Sequence, residues 1–297
     1  MLARLPAALR GIITGISLVL NTVMVFSLMV PAALLKLLVP NERLRRRCDV
    51  VLNALASGWV GINNAWISAV CPAAWDVQGV GELHPRGWYL VSSNHQSWVD
   101  ILVLQRIFHG RIPFLKFFLK RELIWVPVIG LAWWALDFPF LSRGRGKGGP
   151  YGDLKATRES CKKFKRIPTS VISFVEGTRF TTAKHAQQRS PYRHLLKPKS
   201  GGLGIALATM GEQFEALLDV TIVYPHGAPH FWDLLCGQID TVKVRVQQRE
   251  IPTQLLGSDP VADKGYRQQI NTWVEQQWSE KDSLIDSLLR PTAQAAA

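Results

Sequence analysis

Hydrophobic and polar positions divide the chain into contrasting stretches. From Gly11 to Leu35 there is no charged side chain, a run of 25 residues that exceeds the roughly 20 needed to cross a bilayer as a helix. Further on, short apolar runs are set off by turn-forming residues. Trp88-Tyr89-Leu90-Val91, Val171 to Val175, Val220 to Tyr224 and Val242 to Gln248 have the length and the β-branched or aromatic content of strands. After Ser97 the period changes. Val99, Ile101, Leu102, Val103, Leu104, Ile107 and Phe108 fill a helix interrupted only by Asp100, Gln105 and Arg106. Further helices are expected from about Asp153 to Phe164, from Gly201-Gly202 to about Leu218, and from about Pro260 to Leu289, the last as one long helix or two shorter ones. Buried strands alternating with helices make the fold class α/β.

The first forty residues read as a membrane anchor. Arg4 and Arg10 precede the apolar run as they do in a signal peptide, but the run is too long and no small-x-small site stands before Lys36. The segment is either a single span or, broken at Pro31, a helical hairpin. Lys36, Arg43, Arg45, Arg46 and Arg47 form the denser positive flank, which puts the rest of the chain on the cytoplasmic side of a cell inner membrane. A second apolar stretch, Leu123 to Leu141, is interrupted by Pro127, Gly130, Asp137 and Pro139. It is expected in the core, with Trp125, Trp133 and Trp134 as an interfacial face at headgroup depth. The domains are then 1–48 anchor and basic flank, 49–290 one folded domain and 291–297 a disordered tail.

A formal net charge of +13 calls for an anionic partner, and the apolar run selects anionic membrane lipids over nucleic acid. Arg143 to Arg166 and Thr181 to Lys199 are especially basic, suited to lipid headgroups or another phosphate-rich partner. Cys48, Cys71, Cys161 and Cys236 lack metal or redox spacing, and no metal site is expected.

Two polar blocks at strand ends carry the chemistry. Ser92-Ser93-Asn94 ends one strand, which puts His95 on a strand-to-helix turn and Asp100 in the first turn or so of the helix. An acid there is favoured by the helix dipole and can fold back to the imidazole. It would fix the tautomer of a base that takes a proton on its other nitrogen. An isolated His-x4-Asp is more often a cap. The second block, Glu176-Gly177-Thr178-Arg179, changes the odds. Gly177 lets the chain turn closely under a ligand, Arg179 offers a fork suited to phosphate, and Glu176 either holds that fork or binds an acceptor hydroxyl.

These blocks resemble the first and third motifs of the glycerolipid acyltransferases. Phe140-Leu141-Ser142-Arg143 is similar to the second motif, and Val220 to Pro225 occupies the place of the fourth. The resemblance implies a mixed sheet flanked by helices. It makes His95 and Asp100 catalytic and Arg143, Glu176, Gly177, Thr178 and Arg179 acceptor-binding, and puts Pro225 near the acyl-donor site. The third block begins Phe-Val-Glu rather than the commoner Phe-Pro-Glu, and the fourth lacks a proline that often precedes its apolar residues. Phe118-Leu119-Lys120 and Leu196-Lys197-Pro198-Lys199 are most similar to a bacterial branch related to lysocardiolipin acyltransferases. The implied reaction joins acyl-CoA, or acyl carrier protein, to a lysophospholipid without a cofactor. The competing readings are a remodelling acyltransferase with another acceptor, a membrane-bound thioesterase using the same base on water, and a non-catalytic lipid-binding protein.

Overall fold

The computed structural model describes residues 5–126, 129–138, 140–141, 164, 166–257 and 263–290. Helix α1, Ala7–Leu38, runs unbroken through Pro31, so the break expected there does not occur. A hairpin forms further on. Asn41 caps the next helix, α2 (Glu42–Val70), by accepting from the N–H groups of Arg43 and Leu44. Contacts run antiparallel, from Lys36–Asp49 at 2.6 Å to Asn21–Asn63 at 2.9 Å. The basic flank is therefore the first turns of α2, and the boundary drawn at residue 48 lies inside a continuous helix.

The remaining elements build a sheet with helices on both faces. Its strands are β1 (Ala74–Gln78), β2 (Tyr89–Ser93), β3 (Leu115–Phe117), β6 (Ser170–Phe174), β7 (Ala216–Val223) and β8 (Thr241–Arg249), while β4 (Leu119–Lys120) and β5 (Phe140–Leu141) pair separately. The spatial order is β1-β8-β7-β2-β6-β3. The block β7-β2-β6-β3 is parallel, and β8 turns antiparallel against β7. Alternation decides which side chain meets which layer. Tyr89 and Val91 face a core shared with α1, α2 and α3 (Val99–Phe108). Leu90 and Val171 face the other core, with α6 (Gly201–Met210) and α8 (Lys264–Leu289). Helix α8 is a single helix. Its fully buried Lys281 pairs with Asp219 of β7 at 2.7 Å, which fastens the strand carrying the fourth motif.

Two expectations need adjusting. The helix from Gly201 stops at Met210, a 3-10 turn spans Gly211–Gln213 and β7 begins at Ala216; Gly211, Glu212, Gln213 and Glu215 interrupt the apolar run there. The stretch from Leu123 is no second span. It becomes a 3-10 turn, Arg121–Trp125, the short helix α4, Ile129–Ala135, and β5. Ala132, Ala135, Leu136 and Phe138 are buried, as expected of a core segment, while Trp125, Leu131 and Trp134 are exposed and Trp133 is half-buried. The helix expected from Asp153, Cys161 and the tail from residue 291 lie, apart from Phe164, outside the described residues.

Candidate active site

Strand β2 lies between β6 and β7 at the point where the order of connection reverses, the place where a crevice opens beyond the carboxyl ends of a parallel sheet. At Asn94 the backbone leaves the sheet, and the side chain continues the ladder in its place. Its amide donates to Ile222 O and accepts from Ile222 N, both at 2.9 Å. The next residue, His95, is thus held at the strand end with its ring turned away from the ladder.

The His95 ring stacks on Phe174, with centroids 3.9 Å apart, and its Nδ1 lies 2.9 Å from Asp100 Oδ2. Asp100 is fully buried. The same Oδ2 accepts from the N–H groups of Gln96 at 2.6 Å and Ser97 at 2.8 Å, and Oδ1 accepts from the Tyr224 hydroxyl at 2.7 Å. Four donors around one carboxylate match its acceptor capacity. The ring nitrogen Nε2 is then the one available to exchange a proton with a reactant.

Tyr224 is the contact that the sequence reading missed. It precedes Pro225 at the end of β7, 124 residues from Asp100, and only the pairing of β2 with β7 brings the two together. A large polar aromatic ending a buried strand was the available signal. Tyr224→Phe keeps the ring but leaves Oδ1 short of a donor. We expect a stability loss of roughly 1–3 kcal/mol, read by denaturant unfolding, and a lower kcat at unchanged KM.

Glu176 proves to be a clamp on the backbone. It is fully buried, and its two oxygens accept from His95 N at 2.8 Å and Leu196 N at 2.9 Å. It therefore ties the His95 turn to the loop ahead of α6, in place of the Arg179 or acceptor contact expected of it. Burial pushes its carboxyl up to about 7, against the two N–H donors, which favour the carboxylate. The folded value lies above the unfolded 4.5. The resulting stability is therefore complete below pH 4.5 and is lost as pH rises through about 7, a difference of about 3 kcal/mol. Thermal unfolding across this range should show that slope in the native chain and a flatter profile in Glu176→Gln.

The rest of the third block forms the rim. Gly177 follows β6 with φ 67°, a left-handed turn that disfavours any side chain. The Arg179 guanidinium lies 4.9 Å above the exposed Trp98 ring. This stacking holds the fork beside the first block while leaving its edge available. Lys184, on α5 (Thr182–Gln188), donates to Thr178 Oγ1 at 2.8 Å and Arg179 O at 3.0 Å, which fixes the turn. The N–H groups of His95, Gln96 and Ser97 are all engaged within the protein. None of the three is left free to donate to a developing oxyanion.

His95, Asp100, Gly177, Thr178 and Arg179 thus gather at one end of the sheet, with Glu176 beneath them and Pro225 one residue beyond Tyr224. Trp133 and Trp134 lie on α4, whose Ala135 O accepts from Lys36 of α1 at 2.9 Å. Arg143 lies outside the described residues. Among the described residues no three His, Cys, Asp or Glu side chains gather in a way that suits a metal ion.

A model of the acyltransferase family matches residues 75–226. The 1-acyl-sn-glycerol-3-phosphate acyltransferase 2 of Arabidopsis thaliana is 29% identical over 211 residues, which cover 66% of this chain and 51% of that protein. The 1-acyl-sn-glycerol-3-phosphate acyltransferase delta of Homo sapiens is 25% identical over 289 residues, 92% of this chain and 70% of that one. The chain spans about half the length of the plant relative it matches. The crystal structure of the 1-acyl-sn-glycerophosphate acyltransferase of Thermotoga maritima aligns with a TM-score of 0.45 at 20% identity, covering 90% of this chain and 98% of the other.

Proposed function

This chain belongs to the acyltransferase family, and we propose that it transfers a fatty acyl group from a thioester, acyl-CoA or acyl carrier protein, to the free hydroxyl of a lysophospholipid. The preferred acceptor is 1-acyl-sn-glycerol-3-phosphate, which gives phosphatidic acid. The observation that carries the reading is the His95–Asp100 pair at 2.9 Å at the same strand ends as the stacked Arg179. It sets a base beside an anion clamp.

In this mechanism His95 Nε2 takes the proton of the acceptor hydroxyl as that oxygen attacks the thioester carbonyl. Asp100 stabilises the imidazolium, and the tetrahedral intermediate expels the thiolate, which takes the proton back from His95. The acceptor serves as its own nucleophile, so no acyl-enzyme is needed. Arg179, joined by Arg143 of the second motif, binds the acceptor phosphate and fixes the hydroxyl, so that orientation supplies much of the rate. Other lysolipids are second-rank acceptors.

The anchor is α1. Ile12, Ile16, Leu20, Val23, Leu28 and Leu34 point outward. The opposite face is docked along the body, from Thr14 on Leu235 O at 2.7 Å to Lys36 on Ala135 O at 2.9 Å. This docking supports a helix embedded in the plane of the cytoplasmic face of an inner membrane more than one leaving the body to cross it.

Two products separate transfer from hydrolysis. Incubated with acyl-CoA and lysophosphatidate, the solubilised protein should form phosphatidate; free fatty acid released at the same rate without acceptor would make it a thioesterase instead. Arg179→Ala should raise the acceptor KM about tenfold or more and leave the acyl-CoA KM near its native value, on the scale of 1.5–3 kcal/mol for a hydrogen bond to a charged group. An unchanged acceptor KM removes Arg179 from the clamp.

A further inference from the structure

Away from His95, a cavity of about 170 Å³ opens between the end of α1, the start of α2 and α4. It is lined by Lys36, Leu37, Arg45, Trp134, Asp137 and Arg166. It faces the amino end of β6, since Arg166 precedes that strand, whereas Glu176 and Arg179 follow its carboxyl end. The acceptor clamp and this cavity therefore lie at opposite ends of one strand.

Its charges are unevenly matched. Lys36 is committed to Asp49 and Asp137, and the fully buried Lys116 is attracted to the same two aspartates. Among the described residues that leaves two guanidiniums and one carboxylate. Glu42 lies 3.5 Å from Arg45 and 3.8 Å from Arg166, and its side chain is 69% exposed, so both contacts are long and wet. The Nε of Arg45 is buried with no hydrogen-bond partner, although an unmatched buried donor costs about 1–3 kcal/mol. Beside it, Trp134 and Leu37 are exposed, as is Leu38 at the end of α1.

We propose that this cavity binds the phosphodiester headgroup of an anionic membrane lipid that is not a substrate. The ligand's oxygens would accept from Arg45, including its unmatched Nε, and from Arg166, displacing Glu42. Trp134 would lie at headgroup depth, and the acyl chains would run along the outward apolar face of α1. The volume corresponds to about six waters at about 30 Å³ each, enough for one phosphodiester. Continuity with a lipid-facing helix favours a lipid over a free phosphate. The occupant would tie α1, α2 and α4 together.

The test uses full-length protein in detergent micelles without acyl donor or acceptor, so its outcome does not depend on the proposed reaction. The midpoint of thermal unfolding is compared with phosphatidylglycerol, with phosphatidylcholine and with inorganic phosphate added. Phosphatidylglycerol should raise it by about 2–4 °C and phosphatidylcholine should not. The paired substitution Arg45→Gln with Arg166→Gln should remove the rise. Arg46→Gln with Arg47→Gln, an equal charge change on exposed positions of α2, should keep it. Glu42→Gln, which frees both guanidiniums, should enlarge it, and this variant carries the test if the paired one does not fold. An equal loss in both arginine pairs, no rise in the native chain, or no enlargement in Glu42→Gln would overturn the site. A full rise with inorganic phosphate to which phosphatidylglycerol adds nothing would overturn the lipid assignment.

Discussion

His95→Ala should lower kcat for acyl transfer by at least about 10²- to 10⁴-fold without unfolding the chain. The geometry argues for this separation of effects. The ring covers Phe174 and contributes one of four donors to Asp100. Without it Asp100 still has the N–H groups of Gln96 and Ser97 and the Tyr224 hydroxyl, so the buried acid is not left unsolvated. The His95 backbone N–H still reaches Glu176, so the turn keeps its tether. Steady-state rates with matched thermal unfolding check the prediction. Native-like turnover in the alanine variant would remove His95 from the reaction.

Asp100→Asn should cost roughly 10³- to 10⁴-fold in kcat and only about 1 kcal/mol in stability. An asparagine can place its carbonyl where Oδ2 lies, to accept from Gln96, Ser97 and the His95 ring. Its amide then meets the Tyr224 hydroxyl, which can rotate to accept. The polar contacts survive, and what disappears is the negative charge that offsets the imidazolium during proton transfer. A variant that folds normally and turns over slowly would identify that charge as the contribution of Asp100. A variant that loses stability and activity together would point to a structural role.

Much of this site is legible in the sequence because it is built from strand ends. The runs before Asn94 and before Glu176 announce buried strands. The change of period after Ser97 sets Asp100 one turn into a helix, close enough to return to His95, as the 2.9 Å contact shows. Glu176 was harder to read. An acid beside an arginine suggests an ion pair, and nothing local reveals that two backbone N–H groups from distant turns converge on it. Tyr224 was hidden for a similar reason, since its partner is set by strand order. Helix α2 escaped notice because its polar and apolar residues intermix, and its inner face is defined by α1 rather than by a solvent boundary. The end of α6 is marked by Gly211-Glu212-Gln213, but a few polar residues also fit the outer face of a continuing helix, so the helical reading ran through them.

The most direct measurement is the initial rate of acyl transfer from a labelled long-chain acyl-CoA by the detergent-solubilised protein, with lysophosphatidate, other lysophospholipids and the phosphate-free monoacylglycerol as acceptors, and the His95→Ala variant alongside. A base paired with a phosphate clamp predicts phosphatidate as the fastest product, little transfer to monoacylglycerol, and loss of every product with His95. Equal transfer to monoacylglycerol, or product that persists without His95, would contradict it.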